Sequence, residues 1–277
     1  MTSPEPYGRR RTRAAQLLEA APHAAELLGF YRQVLALQEP LYAWALEADG
    51  FAPPASPPEL GLDRLPTDGL RAPFRTFVDE LSAVVPQALA GAATALGAAP
   101  DAALGTLLGH AALGESLATD AAALDCVEAH AAFFARAFLQ PIAEALAARD
   151  PRSVDLGHAR CPRCGWPPQV SVLRDEPEVK GRRYLVCALC ATWWPYPRST
   201  CPNCGEREAE KLPLHESEAT PHLRIEECAS CKAYLKSVDL RRDGFAVPEV
   251  DDLASVELDV WCEERGLWKI SRNLLGL

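Results

Sequence analysis

The sequence predicts an α+β multidomain chain. An all-α helical domain spans residues 1–150, two tandem four-cysteine β modules span 158–197 and 198–245, and a C-terminal helical segment over 246–277 packs on the rest. Three observations carry this. Alanine, the strongest helix former, fills 38 of the first 150 positions. Eight of the ten cysteines form four Cys-x-x-Cys pairs after residue 160. The apolar residues between those pairs stand in short runs bounded by polar turns, the pattern of strands.

Within the helical region, Pro22 suits a first helical turn, and Leu27, Phe30, Tyr31, Val34, Leu37 and Leu41 recur every three or four residues. They predict one long amphipathic helix over about 22–47, bent at Pro40. The run Pro53, Pro54, Ser56, Pro57, Pro58 reads as a loop, after which Phe74, Phe77, Val78, Leu81, Val84 and Val85 restore helical spacing and open a second helical hairpin. Leu124, Val127, Ala131, Phe134, Phe138, Ile142 and Leu146 then mark one stripe through 118–148, with Pro141 as a kink. Such stripes are core. His110 and His130 have no His, Asp or Glu partner at a spacing typical of a known site, and Cys126 reads as a packing residue, so this region offers no catalytic constellation.

The four knuckles are Cys161/Cys164, Cys187/Cys190, Cys201/Cys204 and Cys228/Cys231, separated by 22, 10 and 23 residues. That long-short-long rhythm is an internal duplication in which CP(R/N)CG opens each unit and a second Cys-x-x-Cys closes it. Two intervening residues let both sulfurs reach one ion from a tight turn, so each unit supplies four thiolates. Gly165 and Gly205 follow the opening knuckles, where a left-handed backbone is often needed, but Ala191 and Lys232 follow the closing ones. Val170, Val172 and Leu173 with Tyr184, Leu185 and Val186 read as strands of the first unit; Leu212, Leu214, Leu223 and Ile225 play that part in the second. Each unit is then a small ribbon of the rubredoxin-like or zinc-ribbon kind, too short to fold without its metal. A thioredoxin-type redox pair is the competing reading of a single CPRC, but four pairs in matched units lack its βαβ setting. Four cysteines fill a tetrahedral site, which leaves no position for activated water and argues against hydrolytic catalysis; zinc and iron both suit the donor set. His158, His215 and His222 could substitute as ligands, though nothing requires them.

Net charge is −10 for the chain, −8 over residues 1–150 and −2 over 151–277, so the electrostatic attraction behind non-specific nucleic-acid binding is missing. Eight thiolates with two divalent ions add a further −4, which Arg160, Arg163, Arg182, Arg183, Arg198 and Arg207 can offset locally. Trp193, Trp194 and Tyr196 fall between the units and are expected to form the hydrophobic joint between ribbons. The acidic helix of Asp251, Asp252, Leu253, Val256, Glu257, Val260 and Trp261 is expected to pack by its apolar face, with Cys262 an incidental thiol. Acidic residues interrupt every Ala/Leu-rich segment, so no membrane insertion is expected. Glu19, Pro22 and His23 break any export-signal core, which favours a cytoplasmic protein.

In their order, CPRCGWPPQVSV, RYLVCALC, a tryptophan soon after that knuckle, CPNCG, ECASCKAYLK and DDLASVELD resemble the formate dehydrogenase accessory protein family FdhE. The resemblance covers residues 158–265 and, more loosely, the segment from Phe30 to Gln38. It implies a cytoplasmic, non-enzymatic maturation factor that binds the catalytic subunit of a respiratory formate dehydrogenase before export. It also implies metal ligation by Cys161, Cys164, Cys187, Cys190, Cys201, Cys204, Cys228 and Cys231, two ions per chain, with iron favoured and zinc possible. The chain departs from the family at Ala191, Lys232 and the tail from Trp268 to Leu277. Two other classes compete: a rubredoxin-like electron carrier, if bound iron cycles, and a nucleic-acid-binding zinc ribbon, which needs a basic stripe.

Overall fold

The computed structural model describes residues 6–48, 62, 67–150, 153–154 and 157–277. The proline run Pro53, Pro54, Ser56, Pro57, Pro58 lies outside the described residues. Seven described helices come first: α1 (Pro6–Ala20), α2 (Ala25–Glu47), α3 (Thr67–Ser82), α4 (Gln87–Ala98), α5 (Asp101–Leu113), α6 (Ala118–Ala123) and α7 (Glu128–Arg149). The helix expected from residue 22 starts as a single 3-10 turn, Pro22–Ala24, and becomes α-helical at Ala25. The stripe expected to run unbroken through 118–148 is two helices. Asp125 turns left-handed with φ 50° and ends the short α6, a conformation that a short polar side chain tolerates.

Helix α7 is the centre of this layer. Among the described residues it is the one helix long and apolar enough to cross a membrane, but 83% of that window is buried inside the fold, as in a core helix. Phe133 meets Phe30 of α2 at 5.7 Å between ring centroids, and Phe138 meets Phe74 of α3 edge-on at 5.2 Å.

The β region follows as β1 (Pro168–Arg174), β2 (Arg182–Cys187), β3 (Trp193–Pro195), β4 (Leu214–Glu216), β5 (Leu223–Glu227) and β6 (Ala233–Asp239), with β7 (Trp268–Lys269) near the C-terminus. The two units share one sheet of order β3-β2-β1-β6-β5-β4, with β7 on β6. Each unit is antiparallel within itself, and the seam between them is parallel: Val170 of β1 pairs with Lys236 of β6, Ser171 with Ser237, and Val172 with Val238. The joint expected from Trp193, Trp194 and Tyr196 is therefore made mainly by backbone. Trp194 instead joins the helical core and donates its indole N–H to the His158 carbonyl at 2.7 Å. Trp193 packs with Tyr184 beside Val170, Val172 and Val186, and Tyr196 alone reaches across, its hydroxyl 3.4 Å from the Cys201 carbonyl oxygen.

The acidic C-terminal segment is two helices, α8 (Pro248–Ala254) and α9 (Val256–Glu263), broken at Ser255, whose hydroxyl bonds back to the Asp251 carbonyl at 2.8 Å. Its acidic pair is buried. Asp251 takes the guanidinium of Arg13 from α1 and lies 3.0 Å from His222, while Asp252 holds Lys236 at 3.0 Å and Lys269 at 2.7 Å. Asp259 completes that group with Lys236 at 2.6 Å, Lys269 at 3.1 Å and the Tyr234 hydroxyl at 2.8 Å. Arg10 of α1 likewise bridges Glu144 of α7 and Glu249 of α8 at 2.9 and 3.0 Å. Helix α8 thus fastens the helical layer to the sheet by buried, paired charge, an arrangement in which removing one partner costs far more than the pair contributes.

Candidate metal centres

The four knuckles share one backbone design. The N–H of each opening cysteine donates to the carbonyl five residues ahead: Cys161 to Trp166, Cys187 to Thr192, Cys201 to Glu206 and Cys228 to Ala233, at 2.8, 3.0, 2.9 and 2.9 Å. In three of them the residue after the closing cysteine donates back to the opening cysteine's carbonyl: Gly165, Gly205 and Lys232, at 2.9, 3.0 and 2.8 Å. The backbone is left-handed there in all four, with φ of 75° at Gly165, 78° at Gly205, 49° at Ala191 and 61° at Lys232. Ala191 and Lys232 therefore accept the strained conformation rather than adopting another turn.

These turns bring the sulfurs together as first with second knuckle and third with fourth. Cys161, Cys164, Cys187 and Cys190 form one group and Cys201, Cys204, Cys228 and Cys231 the other, with every sulfur within 4.8 Å of the rest of its group. Cys161 lies 3.6 Å from Cys190 and Cys164 lies 3.3 Å from Cys187; in the second group Cys201–Cys231 is 3.8 Å and Cys204–Cys228 is 3.6 Å. A tetrahedron with metal–sulfur bonds near 2.3 Å has edges of roughly 3.8 Å, so either group could hold a metal ion. None of the ten cysteines is in a disulfide. Backbone N–H groups of Leu189 and Cys190 point at the Cys187 sulfur, and that of Asn203 at Cys201, each at 3.4 Å, the outer-shell donors a thiolate centre needs. Within the first group burial pushes the Cys164 and Cys187 thiols well above the ordinary thiol range, while hydrogen bonds from the neighbouring cysteines outweigh burial at Cys161 and draw it below that range.

The two centres differ in setting. Cys161, Cys187 and Cys190 are buried in the core shared with the helices, and Trp166 donates its indole N–H to the Ala112 carbonyl of α5 at 2.9 Å. In the second group Cys204 is exposed and Cys231 half-buried. Three of the six arginines expected near the knuckles have clear partners: Arg160 the Gly165 carbonyl at 3.3 Å, Arg163 Asp150, and Arg183 both Glu226 and the Thr200 carbonyl. Sequence reasoning missed Arg136 of α7, whose Nη2 and Nε donate to the Ala188 carbonyl inside the second knuckle at 2.6 and 3.2 Å. Desolvation pulls that guanidinium down to about 10 against the attraction of the Cys187 sulfur, the largest opposing influence. A lone arginine on an alanine-rich helix gives no signal of such a role.

No histidine joins either sulfur group. His158 is exposed, His215 pairs with Glu227 at 2.8 Å and His222 with Asp251 at 3.0 Å. His110, whose spacing matches no known site, lies 2.8 Å from Asp120, and the hydrogen bond to that carboxylate raises its pKa. A third grouping of His222, Asp243 and Asp251 is already served by the Arg13 guanidinium, which contacts both carboxylates.

Residues 160–198 match the family model described as FdhE, central domain, and residues 199–275 that described as FdhE, C-terminal domain. The FdhE homolog of Aquifex aeolicus (strain VF5) is 40% identical over 149 residues, 52% of this chain and 51% of that protein. That of Pseudomonas aeruginosa is 40% identical over 119 residues, 42% of this chain and 38% of its own. The aligned stretch thus spans about half the length, or less, of these curated relatives. The crystal structure of the FdhE protein from Pseudomonas aeruginosa superposes with a TM-score of 0.71 at 27% identity, covering 99% of this chain and 96% of that one.

Proposed function

This chain belongs to the FdhE family, and from that premise we propose that it is a formate dehydrogenase accessory protein, acting in the cytoplasm without turnover of its own. It holds one ion in each four-cysteine group and presents the resulting rigid body to the immature catalytic subunit of a respiratory formate dehydrogenase. The observation that carries the proposal is the pair of four-cysteine groups set at the turns of a single sheet. Four thiolates complete each shell, so the ion supplies cross-linking and, if it is iron, one-electron chemistry, but no site for bound water. Such a body has little conformational freedom left to lose on binding, which favours a platform for another protein.

The test is co-expression with the catalytic subunit and affinity capture. Retention of the immature subunit, release of the mature one and absence of formate oxidation by the chain alone are expected. Equal failure to retain either form would overturn the proposal. The exposed Cys204 favours a second reading, an electron carrier working through the second centre. Metal analysis of protein purified without oxygen separates the two: about two irons per chain with reversible bleaching of thiolate-to-iron bands keeps the carrier reading, and two zincs remove it.

A further inference from the structure

We infer that Arg136 is the counter-charge of the first four-cysteine centre, set against the Cys187–Cys190 knuckle to balance the negative charge of an ion held by four thiolates. The inference rests on that centre holding an ion, as proposed above.

Arg136 is half-buried and projects from the central helix of the other layer. Besides the Ala188 carbonyl, its guanidinium donates to the carbonyls of Arg272 and Asn273 at 2.7 and 3.0 Å and to Gln169 Oε1 at 3.0 Å, and the Trp166 ring lies 5.6 Å away. Every one of these acceptors is neutral. A cation drawn partly out of water needs an anion nearby, and hydrogen bonds to carbonyls alone leave its charge unbalanced.

The neighbouring carboxylates are already committed. Gln169 passes the contact on to Asp252 at 3.1 Å, but Asp252 and Asp259 are balanced by Lys236 and Lys269, two negative charges against two positive. Arg136 itself has no carboxylate among its hydrogen-bond partners. A divalent ion with four thiolates carries two negative charges, and the carbonyl that Arg136 grips lies between two of those sulfurs in the chain. The second centre is built otherwise: its adjacent arginine, Arg183, reaches the Thr200 carbonyl at 3.1 Å but is itself neutralised by Glu226. The guanidinium at the first centre thus has no carboxylate among its hydrogen-bond partners, whereas Arg183 beside the second has Glu226.

Cobalt(II) titration of the full-length chain, in competition with a chromophoric chelator, tests this. The tetrathiolate absorption follows both centres, and Cys164→Ser and Cys204→Ser variants assign the two phases. Arg136→Gln keeps hydrogen-bond donors but loses the charge; Arg136→Lys keeps the charge but loses the planar fork. The glutamine variant is expected to weaken cobalt binding at the first centre by roughly ten- to a hundredfold and leave the second unchanged, with the lysine variant close to wild type. Wild-type affinity in Arg136→Gln, or equal loss in both variants, would overturn the counter-charge role. A wild-type chain that takes up no cobalt at the first centre removes the metal reading itself, a result distinct from either.

Discussion

Lys236 Nζ lies 3.0 Å from Asp252 Oδ1, and neither side chain is exposed to solvent. The ammonium also donates to the Asp252 and Ser255 carbonyls at 2.7 and 3.0 Å, so the contact spans the break between α8 and α9. The strings YLK and DDLASVELD thereby acquire a physical meaning: Tyr234, Lys236, Asp252, Ser255 and Asp259 are one buried polar cluster.

Asp252→Asn leaves two buried ammoniums sharing one carboxylate. It should lower stability by about 3–5 kcal/mol, read as a shift in the urea midpoint at unchanged slope. A loss under about 1 kcal/mol would show the cluster to be hydrated in solution.

The same carboxylate gives a pH dependence with a fixed sign. Burial by itself raises Asp252, but the ammoniums of Lys236 and Lys269 outweigh it, and the group sits below the ordinary carboxylate range. Its contribution is complete above the unfolded value of about 3.9 and is lost as pH falls through the lower folded value. The stability gap between wild type and Asp252→Asn should accordingly close below about pH 4. Chemical denaturation across pH 2 to 7 measures it.

A third prediction concerns the knuckle glycines and their substitutes. Gly165 is left-handed at φ 75° with nothing within 4 Å of where a Cβ would stand, so Gly165→Ala carries backbone strain alone and should cost about 1 kcal/mol. Lys232→Gly, relieving the same conformation at φ 61°, should stabilise by a similar amount. Opposite signs in thermal unfolding of the metal-loaded chain are the expected result.

Gly114 differs from Gly165 in what surrounds it. It caps α5 at φ 70°, and a Cβ there would come within 3.2 Å of the Trp166 ring. Gly114→Ala should cost more than Gly165→Ala, by about 1 kcal/mol or more, and shift the tryptophan fluorescence.

The unequal burial of the two centres predicts the order of attack by thiol reagents. Cys204 should be alkylated first and Cys190 last, with mass spectrometry of timed digests giving the order. Simultaneous labelling of both groups would mean that they open together.

The sulfur grouping was legible in advance because the spacing of Cys161 to Cys231 repeats and a tetrahedral ion needs four donors. Core helices were legible where apolar periodicity was strong, as from Leu27 to Leu41. What escaped the sequence has a common physical cause. Arg10, Arg13, Lys236 and Lys269 are expected at the surface by residue type, and only their distant partners, Glu144, Asp251, Asp252 and Asp259, make burial tolerable. The parallel seam of β1 with β6 and the role of Arg136 are likewise long-range facts, absent from any local window. The break at Asp125 is local, yet the apolar stripe passes through it and hides it.

That parallel seam also sets an order of events during synthesis. Strand β1 and the first four cysteines leave the ribosome long before β6, the strand that pairs with the free edge of β1, and β7 comes later still. Until then β1 offers an unpaired flank to any passing strand. The first four-cysteine group is thus complete in the emerging chain while that flank of β1 is still bare, and the flank is covered only when Ala233–Asp239 has docked.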